Sequence, residues 1–250
     1  IVLLEACVDE DDESHLRILL GGKSIRYLTI AAGLYTSFQM CFGPTLGSVL
    51  PAFPPGDWND GNVAKDPNTG QPHFAHTQTK KFPGVTGVWH PVCVDYLELT
   101  VVEKLRTGIY EATCSRYPSL VVAKFARFSW EVPEIDDECR AYQWIEGQGI
   151  GPKFLGHLTE QGRVIGFLME PIANARHATP EDLELCQKIL GKLHRLGVVH
   201  GDVNKHNFLI RGEEVTLIDF ATTRKCDDEV AFQDEMSSLS RLLSDTSGIG

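Results

Sequence analysis

The stretch VVHGDVNKHNFLI, residues 198–210, decides how this chain is read. Between a helical pattern and an apolar strand it gathers His200, Asp202, Lys205, His206 and Asn207. An ordinary polar turn is one reading; a loop built to hold a reacting hydroxyl and a metal ion is the other. Asp202 and Asn207 are five residues apart, and Asp219 follows twelve later, at the end of the second strand of a hairpin, in LIDF. A turn between helix and strand can point Asp202 and Asn207 into one cleft, and the hairpin then returns Asp219 beside them. One carboxylate and one amide oxygen suit a hard, oxygen-seeking cation such as Mg²⁺, which keeps waters and substrate phosphates as further ligands. The remaining carboxylate can orient a hydroxyl or take its proton.

Outward from the loop, the flanking patterns are dense. TPEDLELCQKILGKLHRLG (179–197) carries helix signals: Thr179 as N-cap, Pro180 at N1, Asp182 three residues on, an apolar stripe of Leu183, Cys186, Leu190 and Leu193, and Gly197 as the stop. After the loop, FLI and VTLID around RGEE read as a hairpin, and residues 227–245 read as an acidic amphipathic helix. Upstream, residues 97–105, 108–114 and 119–128 read as a three-stranded meander. Residues 134–147 read as a helix with Ile135, Cys139, Tyr142 and Ile145 on one face, and 156–172 as two strands around Glu160-Gln161-Gly162. Strands, helix, strands, helix, polar loop, hairpin, helix make an α+β chain in two lobes.

The first 92 residues read differently. Residues 15–30 predict two short strands around Gly21-Gly22. Residues 43–92 are rich in Pro, Gly, Asn and Asp with few periodic apolar positions, and predict a long irregular arm. His73 and His76 lie within it without a third ligand and read as solvated. The expected division is an extension over 1–92, a small lobe with hinge over 93–172, and a short second lobe over 173–250.

Bulk properties narrow the function classes. A net charge of −11, with 23 Lys and Arg, opposes tight binding to nucleic acid. No apolar run reaches the roughly 18 residues that span a bilayer, so no membrane partner is expected. The seven cysteines are odd in number and scattered without a CxxC, which reads as reduced thiols in an intracellular, cytoplasmic protein without a zinc site, the nucleus being an open alternative. The absence of an initiator Met and of a basic n-region reads as a missing natural start rather than a secretory signal.

The loop and its spacing resemble the protein-kinase-like phosphotransferases, whose H-R-D-x-x-x-x-N and D-F-G stand here as H-G-D-V-N-K-H-N and D-F-A. The resemblance covers residues 97–245 and implies a two-lobed kinase-like fold with a short C-lobe. It implies that Asp202 is the catalytic carboxylate, that Asn207 and Asp219 bind Mg²⁺, and that His200 braces the loop. It also implies that Lys124, ending VVAK on the third strand of the meander, contacts the α- and β-phosphates of ATP. Glu138 on the following helix would hold Lys124 by an ion pair, with Glu134 and Glu131 as alternatives on roughly the same face. FLMEPI (167–172) falls at the hinge, so the Glu170 carbonyl and the Ile172 backbone would meet adenine, with Met169 flanking. Gly108 is the one glycine of the phosphate-covering turn, and Lys205 is a candidate contact for the transferred phosphate. The runs GIGPKFLGHL, ARHATPEDLELC and HGDVNKHNFLI are similar to a group of fungal kinase-like proteins, some of which carry the name alpha-galactosidase A. A glycosidase barrel needs eight strand–helix alternations, which this pattern does not supply.

The departures matter. Gly201 replaces the Arg that pairs with an activation-loop phosphate, so that switch is expected to be absent. Ala221 replaces the glycine of D-F-G, and the HGD form is closer to aminoglycoside, choline and lipopolysaccharide kinases. Two functions follow: an ATP- and Mg²⁺-dependent phosphotransferase acting on a protein or small-molecule hydroxyl, or a pseudokinase that binds nucleotide or protein without transfer.

Overall fold

The computed structural model describes residues 1–245. The chain divides between Phe82 and Pro83 into two compact units.

The first unit is a five-stranded mixed sheet. Strands β1 (Val2–Cys7), β2 (Ser14–Leu20) and β3 (Ser24–Ile30) run antiparallel in sequence order. Two short helices, α1 (Ser37–Cys41) and α2 (Gly43–Val49), cross over to β4 (Asp60–Lys65), which lies parallel to β3, and β5 (Pro72–Gln78) closes the far edge. The hairpin expected around Gly21-Gly22 is β2–β3. The irregular arm is corrected in part: residues 43–78 carry α2, β4 and β5. Each of these elements has only six or seven residues, too few to display a period. Isolated apolar anchors do the work instead: Leu46, Trp58 and Val63 join Leu16, Ile18, Leu28, Ile30 and Met40 in one core. The Arg26 guanidinium lies 4.0 Å over the Trp58 ring, which stacks on Phe53.

The second unit opens with β6 (Cys93–Asp95) and then the expected meander: β7 (Leu99–Arg106), β8 (Ile109–Cys114) and β9 (Val121–Phe125). Helix α3 (Val132–Ile145) follows, entered at Pro133, two residues earlier than the apolar periodicity begins. The hairpin β10 (Phe154–Glu160) and β11 (Arg163–Met169) completes a six-stranded sheet in the order β6-β10-β11-β9-β8-β7. Beyond it lie β12 (Arg176–His177), α4 (Leu183–His194), β13 (Val198–Val199), the hairpin β14 (Phe208–Arg211) and β15 (Glu214–Leu217), β16 (Arg224–Lys225) and α5 (Glu229–Leu243). Thr179 opens a 3-10 turn ahead of α4, and the Asp182 carboxylate accepts both its N–H (2.8 Å) and its hydroxyl (2.9 Å).

One core runs through this unit, from Ile135 and Tyr142 of α3 through Phe154 and Phe167 of the sheet to Leu190 of α4, Phe208 of β14 and Leu239 of α5. The elements that carry the quoted motifs are therefore packed as one body. All seven cysteines are free. Among the described residues no helix is long and apolar enough to cross a membrane.

Candidate active site

Lys124 sits on β9, where every residue is buried. A buried ammonium demands partners, and it has two: Glu138 Oε2 at 2.7 Å and Asp219 Oδ1 at 2.8 Å. Burial alone would lower the Lys124 pKa; the two carboxylates outweigh it and hold the pKa above its ordinary value. Glu138 projects inward from α3 and is 1% exposed. Complete burial pushes its pKa up, and Lys124 opposes that push. Its other oxygen, Oε1, accepts the Phe220 N–H at 3.3 Å, so one side chain ties β9, α3 and the backbone after Asp219 together. Glu131, one of the alternatives, pairs instead with Arg127.

Asp219 stands in the left-handed region, at φ 65°, a conformation that Asp tolerates better than most residues. Burial raises its pKa, and the Lys124 ammonium more than offsets this, leaving it below the usual carboxylate range. Its side chain is 44% exposed. Oδ1 faces Lys124, and Oδ2 has no hydrogen-bond partner among the described residues. Phe220 turns the other way, into the core, edge-on to Tyr142.

The 200–207 loop is fixed by its own polar groups. Asn207 donates its amide N–H groups to the Asp202 carbonyl (2.8 Å) and to Asp202 Oδ2 (3.1 Å). Its amide oxygen is left without a partner among the described residues. The Asn207 backbone carbonyl accepts from Ile218 N at 3.0 Å, which seats the loop beside the residue preceding Asp219. Asp202 is exposed and also accepts from the Asn204 side-chain amide at 3.2 Å. His200 is fully buried, and burial lowers its pKa. Its Nε2 lies 3.1 Å from the Ile218 carbonyl, which can only accept, so Nε2 donates there.

Gly201 has a structural reason. Its φ is 84°, and a Cβ there would lie 2.6 Å from the Thr222 carbonyl oxygen. Any side chain, Arg included, would collide with the segment after Asp219.

The remaining predicted residues are spread around this centre. Gly108 is buried in the β7–β8 turn, its carbonyl accepting from Phe125 N at 3.0 Å. With Thr107, Lys124 and Ile135 it lines a cleft of about 180 Å³. Met169 ends β11 and accepts the Tyr142 hydroxyl on its sulfur at 3.3 Å. Glu170 is exposed and donates its N–H to the Lys153 carbonyl, and Ile172 is half-buried. Lys205 Nζ donates to the Asp245 carbonyl at 2.5 Å. His73 lies on β5, with Nδ1 3.1 Å from the Ala64 carbonyl. Among the described residues no three His, Cys, Asp or Glu side chains cluster as metal ligands.

Sequence reasoning missed Glu235. From α5 its carboxylate accepts from Gly201 N (2.7 Å) and His200 N (3.2 Å) and meets His194 Nε2 at 2.7 Å. Burial raises its pKa, and these three partners bring it below the ordinary value. It also missed the stitching of the segment after Asp219. The Thr222 and Thr223 hydroxyls donate to the His200 carbonyl at 3.0 and 3.2 Å. Strand β16 pairs with β13, and Cys226 N donates to the Gly197 carbonyl at 2.8 Å. Against Asp202 lies a groove of about 520 Å³, bounded by Val203, Arg224, Asp234 and Ser238.

A family model for the lipopolysaccharide kinase (Kdo/WaaP) family matches residues 172–248, the segment that carries Asp202, Asn207 and Asp219. Over 135 residues the chain is 30% identical to a probable bifunctional tRNA threonylcarbamoyladenosine biosynthesis protein of Methanothermobacter thermautotrophicus, a match covering 48% of this chain and 24% of that protein. Proteins of the same name from Methanosarcina barkeri and Methanosarcina acetivorans are 48% identical over 42 residues, 17% of this chain and 8% of each protein. The chain thus spans a quarter or less of the length of these relatives, which are archaeal rather than fungal and include no alpha-galactosidase.

Proposed function

We propose that the second unit is an ATP- and Mg²⁺-dependent phosphotransferase of protein-kinase-like fold, moving the γ-phosphate to a hydroxyl of a protein or small molecule. The observation that carries this reading is the convergence of Lys124 on Glu138 and Asp219, with Asp219 and Asn207 each keeping one side-chain oxygen unpaired among the described residues. The residues fit the group they would hold. A carboxylate and an amide oxygen offer two hard ligands, and Mg²⁺ takes its remaining positions from phosphates and water. When bound, the ion neutralises the charge on the phosphates.

In this reading Lys124, kept charged by its partners, grips the α- and β-phosphates, and Glu138 fixes its direction. Asp219 and Asn207 hold the ion. Asp202, held by Asn204 and Asn207, orients the acceptor hydroxyl and takes its proton as the new O–P bond forms and the β–γ bridge breaks. Gly108 covers the phosphates, Met169, Glu170 and Ile172 frame the adenine, and Lys205 supports the transferred group. Such catalysis is mainly positioning and charge stabilisation. The groove beside Asp202 is the acceptor side. A net charge of −11 argues against nucleic acid as the acceptor. Seven free thiols fit a reducing, cytoplasmic setting.

Mg²⁺-dependent transfer or release of the γ-phosphate of ATP tests the reading. Asp202→Ala is expected to lower turnover by about 10²–10⁴-fold, the range for loss of a general base, and Asp219→Ala to abolish it. Undiminished turnover in both variants overturns it. The non-transferring alternative rests on Gly108 as the one glycine of the phosphate-covering turn and on Ala221 in place of the D-F-G glycine. MgATP binding without transfer to any acceptor or to water would support that alternative.

A further inference from the structure

Residues 83–92, PGVTGVWHPV, form no strand or helix, yet they are bound along their length to three elements of the second unit. On β11, the Val85 N–H donates to the Val164 carbonyl at 2.8 Å, and Arg163 Nη1 donates to the Pro83 carbonyl at 2.7 Å. On β10, His157 Nε2 accepts from Trp89 N (3.2 Å) and His90 N (3.3 Å). The densest attachment is to α3. Asp136 accepts from Thr86 N (2.8 Å), the Thr86 hydroxyl (2.8 Å) and Gly87 N (2.7 Å). Arg140 Nη2 bridges Asp136 and the Thr86 hydroxyl, and Trp89 Nε1 donates to the Cys139 carbonyl at 2.9 Å. The approach is close: a Cβ on Gly87 would lie 2.9 Å from Arg140 Cγ.

Asp136 precedes Glu138 by two residues. At about 100° per residue the two side chains leave α3 in nearly opposite directions. The strap therefore grips α3 on a different side of the helix from the one on which Glu138 reaches the lysine. A small rotation of α3 would pull Glu138 Oε2 away from the 2.7 Å pair with Lys124.

We infer that the 83–92 strap is the positioning element of this site: by holding Asp136 and the Cys139 carbonyl it fixes the rotation of α3, and so sets the Glu138–Lys124 pair. This deepens the phosphotransferase reading, since that pair is what grips the phosphates there. Thr86 and Asp136 are positioning residues and touch no substrate.

The test uses the full chain and three readouts. The first is amine labelling of Lys124 by acetic anhydride, normalised to exposed Lys153 and read by peptide mass spectrometry. The second is hydrogen exchange of α3 relative to α4, and the third is MgATP affinity. Asp136→Ala is expected to speed Lys124 labelling and weaken MgATP binding by about tenfold, the effect of losing the one charge-assisted hydrogen bond between Glu138 and Lys124. Asp136→Asn should recover part of both. In a Glu138→Gln background the added effect of Asp136→Ala should shrink, because both changes act through one pair. Additive effects, or Lys124 labelling that stays at the wild-type rate while α3 exchange rises, overturn the inference. If Asp136→Ala does not fold, Thr86→Val, which keeps the backbone donors, must still raise Lys124 labelling; no rise overturns it. Absence of MgATP binding in the wild type counts against the phosphotransferase reading alone, because the labelling result decides the strap without nucleotide.

Discussion

Lys124 and Glu138 are buried charges that depend on each other, with half-exposed Asp219 as the second partner of the lysine. Removing the cation leaves Glu138, 1% exposed, without compensation. Lys124→Met is therefore expected to destabilise the second unit by about 3–5 kcal/mol, the usual result of breaking a buried pair from one side. Adding Glu138→Gln should recover most of that loss, measured by urea unfolding; a double variant no more stable than Lys124→Met would contradict the pairing. Spacing in the sequence grouped Asp202, Asn207 and Asp219, while Lys124 and its partner Glu138 were expected only through the resemblance to kinase-like phosphotransferases. Glu235 was not legible. On an acidic amphipathic helix it looks like every other surface carboxylate, and its role comes from the fold bringing α5 under the backbone of His200 and Gly201. Gly201 was visible as a departure from a motif, but the contact that requires it, with Thr222, lies twenty-one residues away.

Among the elements, those of ten residues or more announced themselves, as α3, α4 and α5 did through their apolar stripes. In the first unit the β2–β3 hairpin was visible through its Gly-Gly turn, but α2, β4 and β5, of six or seven residues, were not, because their anchors are single side chains set among turn residues. The strap is a third kind: irregular backbone held by side-chain acceptors, which no periodicity can report. One acceptor makes it sensitive to acid. Burial, with His90 nearby, lowers the His157 pKa from 6.5 to about 4. Between those values the unfolded chain binds a proton that the folded chain refuses. The stabilising contribution is thus complete above pH 6.5, falls as the pH drops toward 4, and levels off below. Protonated Nε2 could no longer accept from Trp89 and His90. Urea midpoints at pH 7 and pH 4.5 should differ more in the wild type than in His157→Gln, which offers an acceptor without titrating. Equal differences would remove His157 as the cause.

At the scale of the whole molecule, the α+β class and the order of elements over 97–245 could be read directly, whereas the first 82 residues hid a domain-sized core behind loop-like composition. Two units with separate cores are expected to unfold separately. Trp58→Ala, in the core of the first, should cost that unit about 3–5 kcal/mol and lower one calorimetric transition while leaving the other in place; a single transition shifted as a whole would mean that the units unfold together. The stitching of residues 220–226 onto 197–200 has a consequence of its own. Two threonine hydroxyls, a pair of two-residue strands and a backbone bond fasten the chain within a few residues of Asp219. On the phosphotransferase reading proposed above, the segment after Asp219 is already fastened in the unmodified protein, with no added charge needed to fix it.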